Sequence, residues 1–174
     1  WGGHVGMTLA ALSPDLIRSL VAVSSPVEPI DPVFRIKLII ANQILARFGP
    51  IAHLRHVIHG AQLIPAHAKL RRMTDVIDRA LTRVQRESIA KTVTSFIINR
   101  ADATHRLPRI AAPTLLITGD DRGEWTPAEM RAAAAEIPDA RSLVIGGART
   151  LVAVEQPDAL AEAIVAFWSE LDAQ

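Results

Sequence analysis

Three short apolar runs, separated by helical stretches, constrain the fold of this chain more than any other feature. They cover residues 18–24, 114–119 and 141–145, and each is rich in Val, Ile or Leu. A short, nearly continuous apolar run is typical of a strand buried on both faces, as in a parallel sheet. Because helical patterns lie between the runs, the order predicts an α/β fold of parallel strands flanked by helices.

The stretch between the first two runs has a helical period. From residue 32 to about residue 100, apolar side chains recur at spacings of three, four and seven, as at Phe34, Leu38 and Leu45. This stretch is therefore predicted to be an all-helical insert between strands. Beyond a break at Gly49-Pro50, its expected helices cover residues 52–63, 66–84 and 87–99.

Turn and cap residues predict the remaining elements. Thr126, Pro127 and Glu129 have the spacing of a capping box with proline in the first turn, so a helix should begin there. Pro108 and Pro113 predict an extended linker over residues 107–113. The other expected helices cover residues 3–12, ended by Pro14, and residues 157–171 at the close of the chain.

Composition excludes several classes of function. The 174 residues are 49% hydrophobic, which is enough for a substantial core, and the net charge is +1. This charge balance favours neither a nucleic acid nor an anionic membrane as a partner. The chain has no cysteine, so disulfides and thiolate metal sites are excluded, and a cytoplasmic location is the default expectation. Apolar runs such as residues 38–41 are too short to span a bilayer.

The first seven residues are dense in glycine. They read Trp1-Gly2-Gly3-His4-Val5-Gly6-Met7 and lead into an apolar, Ala-rich helix, as after a tight strand-to-helix turn. This pattern resembles the second half of the G-x-S-x-G-G-x nucleophile elbow of the α/β-hydrolase superfamily. The resemblance implies that the nucleophilic serine stands immediately before Trp1, and that the Trp1 backbone N–H is an oxyanion donor. The alternative is that Trp1 is a frayed terminal residue.

Two further blocks resemble the same superfamily. Residues 107–127 include Leu-Pro-Arg-Ile-x-x-Pro-Thr-Leu-Leu-Ile-Thr-Gly-Asp, similar to its seventh strand and acid-bearing loop. Residues 140–168 are similar to its eighth strand, histidine loop and last helix, with Glu155-Gln156-Pro157 following that loop. The resemblance implies the C-terminal portion of an α/β-hydrolase fold with a helical cap insertion. The implied divisions are residues 1–26 (core), 27–106 (helical cap) and 107–174 (core).

The resemblance also assigns the catalytic acid. It should lie in the loop after the seventh strand, where Arg122 occupies the usual acid position. Asp121 is the first candidate for the acid and Asp120 the second. Asp120 is expected instead to fix the turn by accepting backbone N–H bonds. Glu124 is expected to be solvated.

The catalytic base departs from the pattern of the superfamily. Counting back from residues 155–157, Thr150 occupies the position of the usual histidine. A threonine cannot accept and return a proton near neutral pH, so the triad should lose on the order of 10⁴-fold in rate. None of the six histidines elsewhere in the chain is a strong candidate for the base. His53, His56 and His59 have a spacing that suits a metal, but no carboxylate completes a set, so neither a metal nor a cofactor is expected.

The resemblance implies a serine-type hydrolase of an ester, lactone or related small acyl compound, incomplete or impaired in this chain. Val33, Ile36, Ile39, Ile40, Leu63 and Ile64 could line its apolar pocket or pack within the cap. The alternative is a non-catalytic hydrolase-fold protein used for ligand binding or partner contact, which Arg122 and Thr150 favour.

The expected partners include polypeptide as well as a small acyl compound. Without a neighbour, the strand at residues 18–24 would present an open apolar edge, and such edges recruit another strand. We expect a missing N-terminal half, a second copy of the chain or an exchanged segment to cover it.

Overall fold

The computed structural model describes residues 2–173, apart from the side chain at position 86, and it divides them into two compact units. The first, the α/β unit, contains residues 2–27, 62–64 and 103–173. The second, the helical unit, contains residues 28–61 and 65–102. Residues 62–64, which fall inside the expected cap, thus belong with the α/β unit. The three-part domain division drawn from the sequence stays a prediction.

The sheet of the α/β unit has three parallel strands in the order β1-β2-β3. The strands are β1 (Leu20–Val23), β2 (Thr114–Gly119) and β3 (Ala140–Ile145). Every residue of the central strand β2 is buried, as its continuous apolar run predicts. The register pairs Val23 with Ile117 and Gly119 with Ile145, so the strands end at one common edge.

Helices cover both faces of this sheet. One face packs Ala22 and Leu116 against Met7 of α1 (Gly2–Leu12) and Met130 of α6 (Pro127–Ala135). The opposite face carries Leu115 and Ile117, which pack with residues of α7 (Val152–Glu155) and α8 (Pro157–Asp172). This three-layer arrangement confirms the predicted α/β class with parallel strands.

The capping box predicted for α6 is present. The Thr126 hydroxyl accepts a hydrogen bond from the Glu129 backbone N–H at 3.2 Å, and the Glu129 carboxylate accepts one from the Thr126 N–H at 2.8 Å.

An ion pair joins the last strand to the last helix. Arg141 of β3 pairs with Glu170 of α8, and this carboxylate raises the pKa of the Arg141 guanidinium.

The helical unit contains four α-helices in the described residues: α2 (Pro32–Phe48), α3 (Ala52–Gln62, whose last residue belongs with the α/β unit), α4 (Arg71–Arg83) and α5 (Arg86–Val93). The expected helix at 66–84 is divided into a 3₁₀ turn, His67–Lys69, and α4. The expected helix at 87–99 changes after Val93 into a π-helical turn, Thr94–Ile98.

The prediction of an extended linker at residues 107–113 is wrong for the first part of that segment. Thr104–Arg109 is a 3₁₀ helix, closed by a hydrogen bond from the Ile110 N–H to the Leu107 carbonyl at 3.1 Å. Leu107 is 1% exposed and packs in the core, so tertiary burial stabilises the turn despite Pro108.

Candidate active site

Two loops leave the common carboxyl edge of the sheet and pack against each other. One follows β2 at residues 120–126, and the other follows β3 at residues 146–151. The Asp120 N–H donates to the Ile145 carbonyl at 3.2 Å, and the Asp121 N–H donates to the Ala148 carbonyl at 3.1 Å. In open α/β sheets this edge is where ligands bind, so these loops form the candidate site.

Asp120 fastens the two loops together. Its Oδ1 accepts hydrogen bonds from the backbone N–H of Gly147 at 2.9 Å and of Ala148 at 3.4 Å. The sequence predicted that Asp120 fixes the turn that follows β2 by accepting backbone N–H bonds. The observed donors, Gly147 and Ala148, belong instead to the neighbouring loop. Its carboxylate is therefore engaged in holding the shape of the site.

Asp121, the first candidate for the catalytic acid, is paired with Arg149. Its Oδ2 lies 2.7 Å from Nη2 and 3.2 Å from Nε of that guanidinium, and its Oδ1 accepts from the Arg122 N–H at 2.6 Å. The Asp121 side chain is 32% exposed and the Arg149 side chain 18%. A cation thus pairs with one oxygen of this carboxylate, and a backbone N–H donates to the other.

Thr150, at the position of the usual histidine, lies beside the loop that carries Asp121. Its Oγ1 is 3.4 Å from the Glu124 backbone nitrogen, and its own N–H donates to the Gln62 carbonyl at 3.2 Å. A Cβ added at Gly123 would lie 2.7 Å from this hydroxyl, so glycine permits the close approach. Asp121 and Thr150 therefore lie in adjoining loops, with Arg149 on the carboxylate.

Glu155 supports the site, a role that the Glu155-Gln156-Pro157 motif did not predict. It is 5% exposed, and its two oxygens accept from the Ile64 N–H at 2.8 Å and the Arg149 N–H at 2.7 Å. A buried carboxylate must have such partners, because an unpaired one would be very costly. One acidic residue following the four apolar residues 151–154 was the signal that could have identified it.

The family of this chain is shown by its match to a model of the alpha/beta hydrolase family, which covers residues 1–163. The chain belongs to the alpha/beta hydrolase family. Its solved relatives share the fold at low identity, and no curated protein matches it.

Among the similar solved structures is a thermophilic esterase from Thermogutta terrifontis, at a TM-score of 0.85 and 23% identity. An enol-lactonase from Burkholderia xenovorans has a TM-score of 0.82 and 22% identity. This alpha/beta hydrolase chain is covered over 97% of its length in both comparisons but spans only 62% of each relative. An enzyme that degrades N-acyl homoserine lactones follows at a TM-score of 0.72 and 21% identity, with 95% of this chain and 64% of that one covered.

The remaining site expectations for this hydrolase chain concern Trp1 and the histidines. Trp1, the expected oxyanion donor, lies outside the described residues. His4 Nδ1 is 3.5 Å from the Pro26 carbonyl oxygen, and His59 Nε2 is 2.9 Å from Asp78 Oδ1 within the helical unit. No histidine is among the hydrogen-bonding partners of the Asp121 carboxylate within residues 2–173.

Two further properties of this alpha/beta hydrolase bear on its chemistry. In the described part of the chain, no three or more His, Asp or Glu side chains are grouped to hold a metal ion. None of the helices there has the length and apolarity needed to cross a membrane.

Proposed function

We propose that this protein is a serine-type hydrolase of an ester, lactone or related small acyl compound, with an impaired catalytic triad. Family membership supports the reaction class, and the similarity to an esterase and to an enol-lactonase supports the acyl substrate. In this proposal Asp121 stands at the position of the acid and Thr150 at that of the base. The Arg149–Asp121 pair is the observation that carries the impairment, since it engages the carboxylate that would orient a histidine.

The helical unit is proposed to be a helical cap that carries an apolar binding surface of its own. Val33, Ile36 and Ile40 of α2 support this role because they are 64%, 60% and 57% exposed within that unit. Exposed apolar side chains at helical spacing are typical of a surface that meets a ligand or another chain. Leu63 is fully buried in the α/β unit, so we leave it out of the proposed pocket.

A second candidate function is ligand binding without catalysis. The same ion pair favours it, because Arg149 offers a cation where a catalytic enzyme of this kind needs a free carboxylate. Arg122 at the usual acid position and Thr150 at the usual base position favour it too. In this version an acyl compound binds at the carboxyl edge and leaves unchanged.

The open edge of β1 is proposed to pair with another strand. Within the described residues β1 pairs only with β2. Four apolar residues that precede β1 in the chain are all more than 40% exposed, namely Val5, Leu9, Leu12 and Leu16. The covering strand would come from a further stretch of polypeptide or from a second copy of the chain. The coverage of 62% of the solved relatives supports the first source.

A cytoplasmic location stays a prediction from the sequence.

The test uses the natural polypeptide that carries these 174 residues, with short p-nitrophenyl esters and a fluorophosphonate probe. The proposed impaired hydrolase should show traces of turnover and slow labelling, at least about 10³-fold below an intact triad. Fast turnover with rapid labelling would contradict the impairment. Stoichiometric binding of an acyl compound with neither turnover nor labelling would favour the second candidate.

A further inference from the structure

Ser24 has an unusual backbone conformation at the carboxyl edge of the sheet. It follows the last residue of β1, and its φ of 47° makes it the one non-glycine residue with positive φ among residues 2–173. Its backbone N–H donates to the Ile117 carbonyl at 2.8 Å, so the strained residue is fixed beside β2. Such strain costs on the order of 1–3 kcal/mol and concentrates at functional sites.

The hydroxyl of Ser24 also lacks a hydrogen-bond partner. Its Oγ is buried and meets no donor or acceptor in the described structure. The nearby hydroxyls differ, because Ser25 Oγ donates to the Val23 carbonyl at 2.9 Å and Thr118 Oγ1 to the Trp125 carbonyl at 3.0 Å. An unpaired buried hydroxyl costs free energy that a local hydrogen bond would recover.

The strained backbone and the unpaired hydroxyl of Ser24 lie at the same edge of the sheet as the candidate site. Continuing the register of β1 and β2 by one residue places Ser24 opposite Thr118, two residues before Asp120. Ser24 therefore leaves the sheet at the edge from which the 120–126 and 146–151 loops arise. The residue as a whole is only half-buried, so a rotation about χ1 can bring its hydroxyl to the accessible side.

We propose that the Ser24 hydroxyl donates a hydrogen bond to an oxygen of the bound acyl compound. The inference rests on the proposed acyl specificity but not on catalysis, because a hydroxyl donor serves both candidate functions. Ester and lactone oxygens are acceptors only, so a neutral donor that is already desolvated complements them. Ser24 acts in this account as a binding and positioning residue, while Asp121 and Thr150 occupy the triad positions.

The test compares two probes that differ in one oxygen. The first is an unreactive ketone analogue of p-nitrophenyl butyrate, and the second is the same compound with its carbonyl replaced by CH₂. Their affinities are measured by calorimetry for the unaltered protein, for Ser24→Ala and Ser24→Gly, and for Ser142→Ala, an exposed serine of β3 as control. Turnover of p-nitrophenyl butyrate is measured in parallel, so the two proposals can fail separately.

Ser24→Ala should weaken binding of the ketone roughly three- to ten-fold, the loss of one hydrogen bond, and leave the CH₂ analogue unchanged. Ser24→Gly should weaken the ketone similarly while raising Tm by about 2–4 °C, because glycine relieves the strain. Ser142→Ala should change neither affinity. Ketone binding through Ser24 without ester turnover would support this inference and contradict the hydrolase.

Four results would overturn the inference. Three are equal effects of Ser24→Ala on both probes, no effect on either probe, and no binding of the ketone by the unaltered protein. The fourth is a Ser24→Gly protein that gains stability without losing affinity, which would show that the positive φ only turns the chain out of the sheet. Any of these results together with ester turnover would leave the hydrolase standing and remove Ser24 from the site.

Discussion

The Arg149 guanidinium donates two hydrogen bonds to Oδ2 of Asp121, from Nη2 at 2.7 Å and from Nε at 3.2 Å. The two residues lie in the loops where this family places its acid and base. Both side chains are mostly buried, so their charges are screened less than those of a surface pair. The pair fixes the relation between the loop after β2 and the loop after β3. In the proposed hydrolase, the contact that holds the two loops together also engages the carboxylate that a triad would need free.

Breaking this pair should lower stability measurably. Arg149→Ala leaves the Asp121 carboxylate with only a backbone donor, so we expect a loss of about 1–2 kcal/mol in the free energy of unfolding. Urea denaturation at neutral pH provides the measurement. Arg18→Ala, which removes an ion pair whose side chains are 87% and 69% exposed, is the control and should cost under about 0.5 kcal/mol. Equal losses in the two variants would show that the Asp121 pair is a surface contact.

Substitution of the buried Glu155 should lower the free energy of unfolding more than substitution of an exposed glutamate does. Glu155→Gln keeps one carbonyl oxygen, but its NH₂ group cannot accept from either the Ile64 or the Arg149 N–H. We expect a loss of roughly 1–3 kcal/mol in unfolding free energy, read from the urea midpoint. Glu162→Gln on the exposed side of α8 should be neutral. An unchanged midpoint for Glu155→Gln would mean that the carboxylate does not hold the 149–151 loop.

Gly119 should not tolerate a side chain. A Cβ there would lie 2.1 Å from the Ala148 carbonyl oxygen, which is backbone and cannot move aside without shifting the 146–151 loop. Gly119→Ala should therefore cost roughly 3 kcal/mol in thermal or chemical unfolding. Gly60→Ala in α3 meets nothing within 4 Å and should stabilise the protein by up to about 1 kcal/mol. Equal tolerance at both positions would contradict the close packing of the two loops.

The open edge of β1 should mediate association when no other strand covers it. The N–H of Leu20 donates to the carbonyl of residue 113, just before β2, and the N–H of Ser24 donates to Ile117 of β2. By the two-residue period, the N–H groups of Val21 and Val23 therefore point to the open side. Val21→Pro removes one outward N–H and should reduce self-association of the 174-residue chain in sedimentation velocity. Ala22→Pro, which interrupts the β1–β2 ladder, should instead unfold it. A monodisperse monomer at all concentrations, before any substitution, would contradict the proposed pairing.

The elements predicted correctly from the sequence are those fixed by local chemistry. β2 matches its apolar run at residues 114–119, and α6 begins at the capping box of Thr126 and Glu129. The 3₁₀ helix Thr104–Arg109 was missed because burial of Leu107 overrides the extended preference next to proline. The four-residue helix Val152–Glu155 is too short for any period to reveal.

The candidate site was predictable only as a pair of loops. Order and motif placed Asp121 and Thr150 near each other, and the two loops do adjoin. The sequence could not reveal which side chain meets Asp121, because Arg149 lies 28 residues away and the contact depends on the packing of both loops. Glu155 and Ser24 were missed for the same reason, since their roles depend on contacts made or left unmade after folding.

We propose that this alpha/beta hydrolase has a triad blocked by Arg149 and interrupted at Thr150. The most direct measurement is p-nitrophenyl butyrate turnover by the natural polypeptide, compared with its Thr150→His and Arg149→Ala/Thr150→His variants. The account predicts traces of turnover before substitution, a small gain for Thr150→His alone, and a gain of about 10²-fold or more when Arg149 is also removed. Full activity without substitution, or a double variant no faster than the parent, would contradict it.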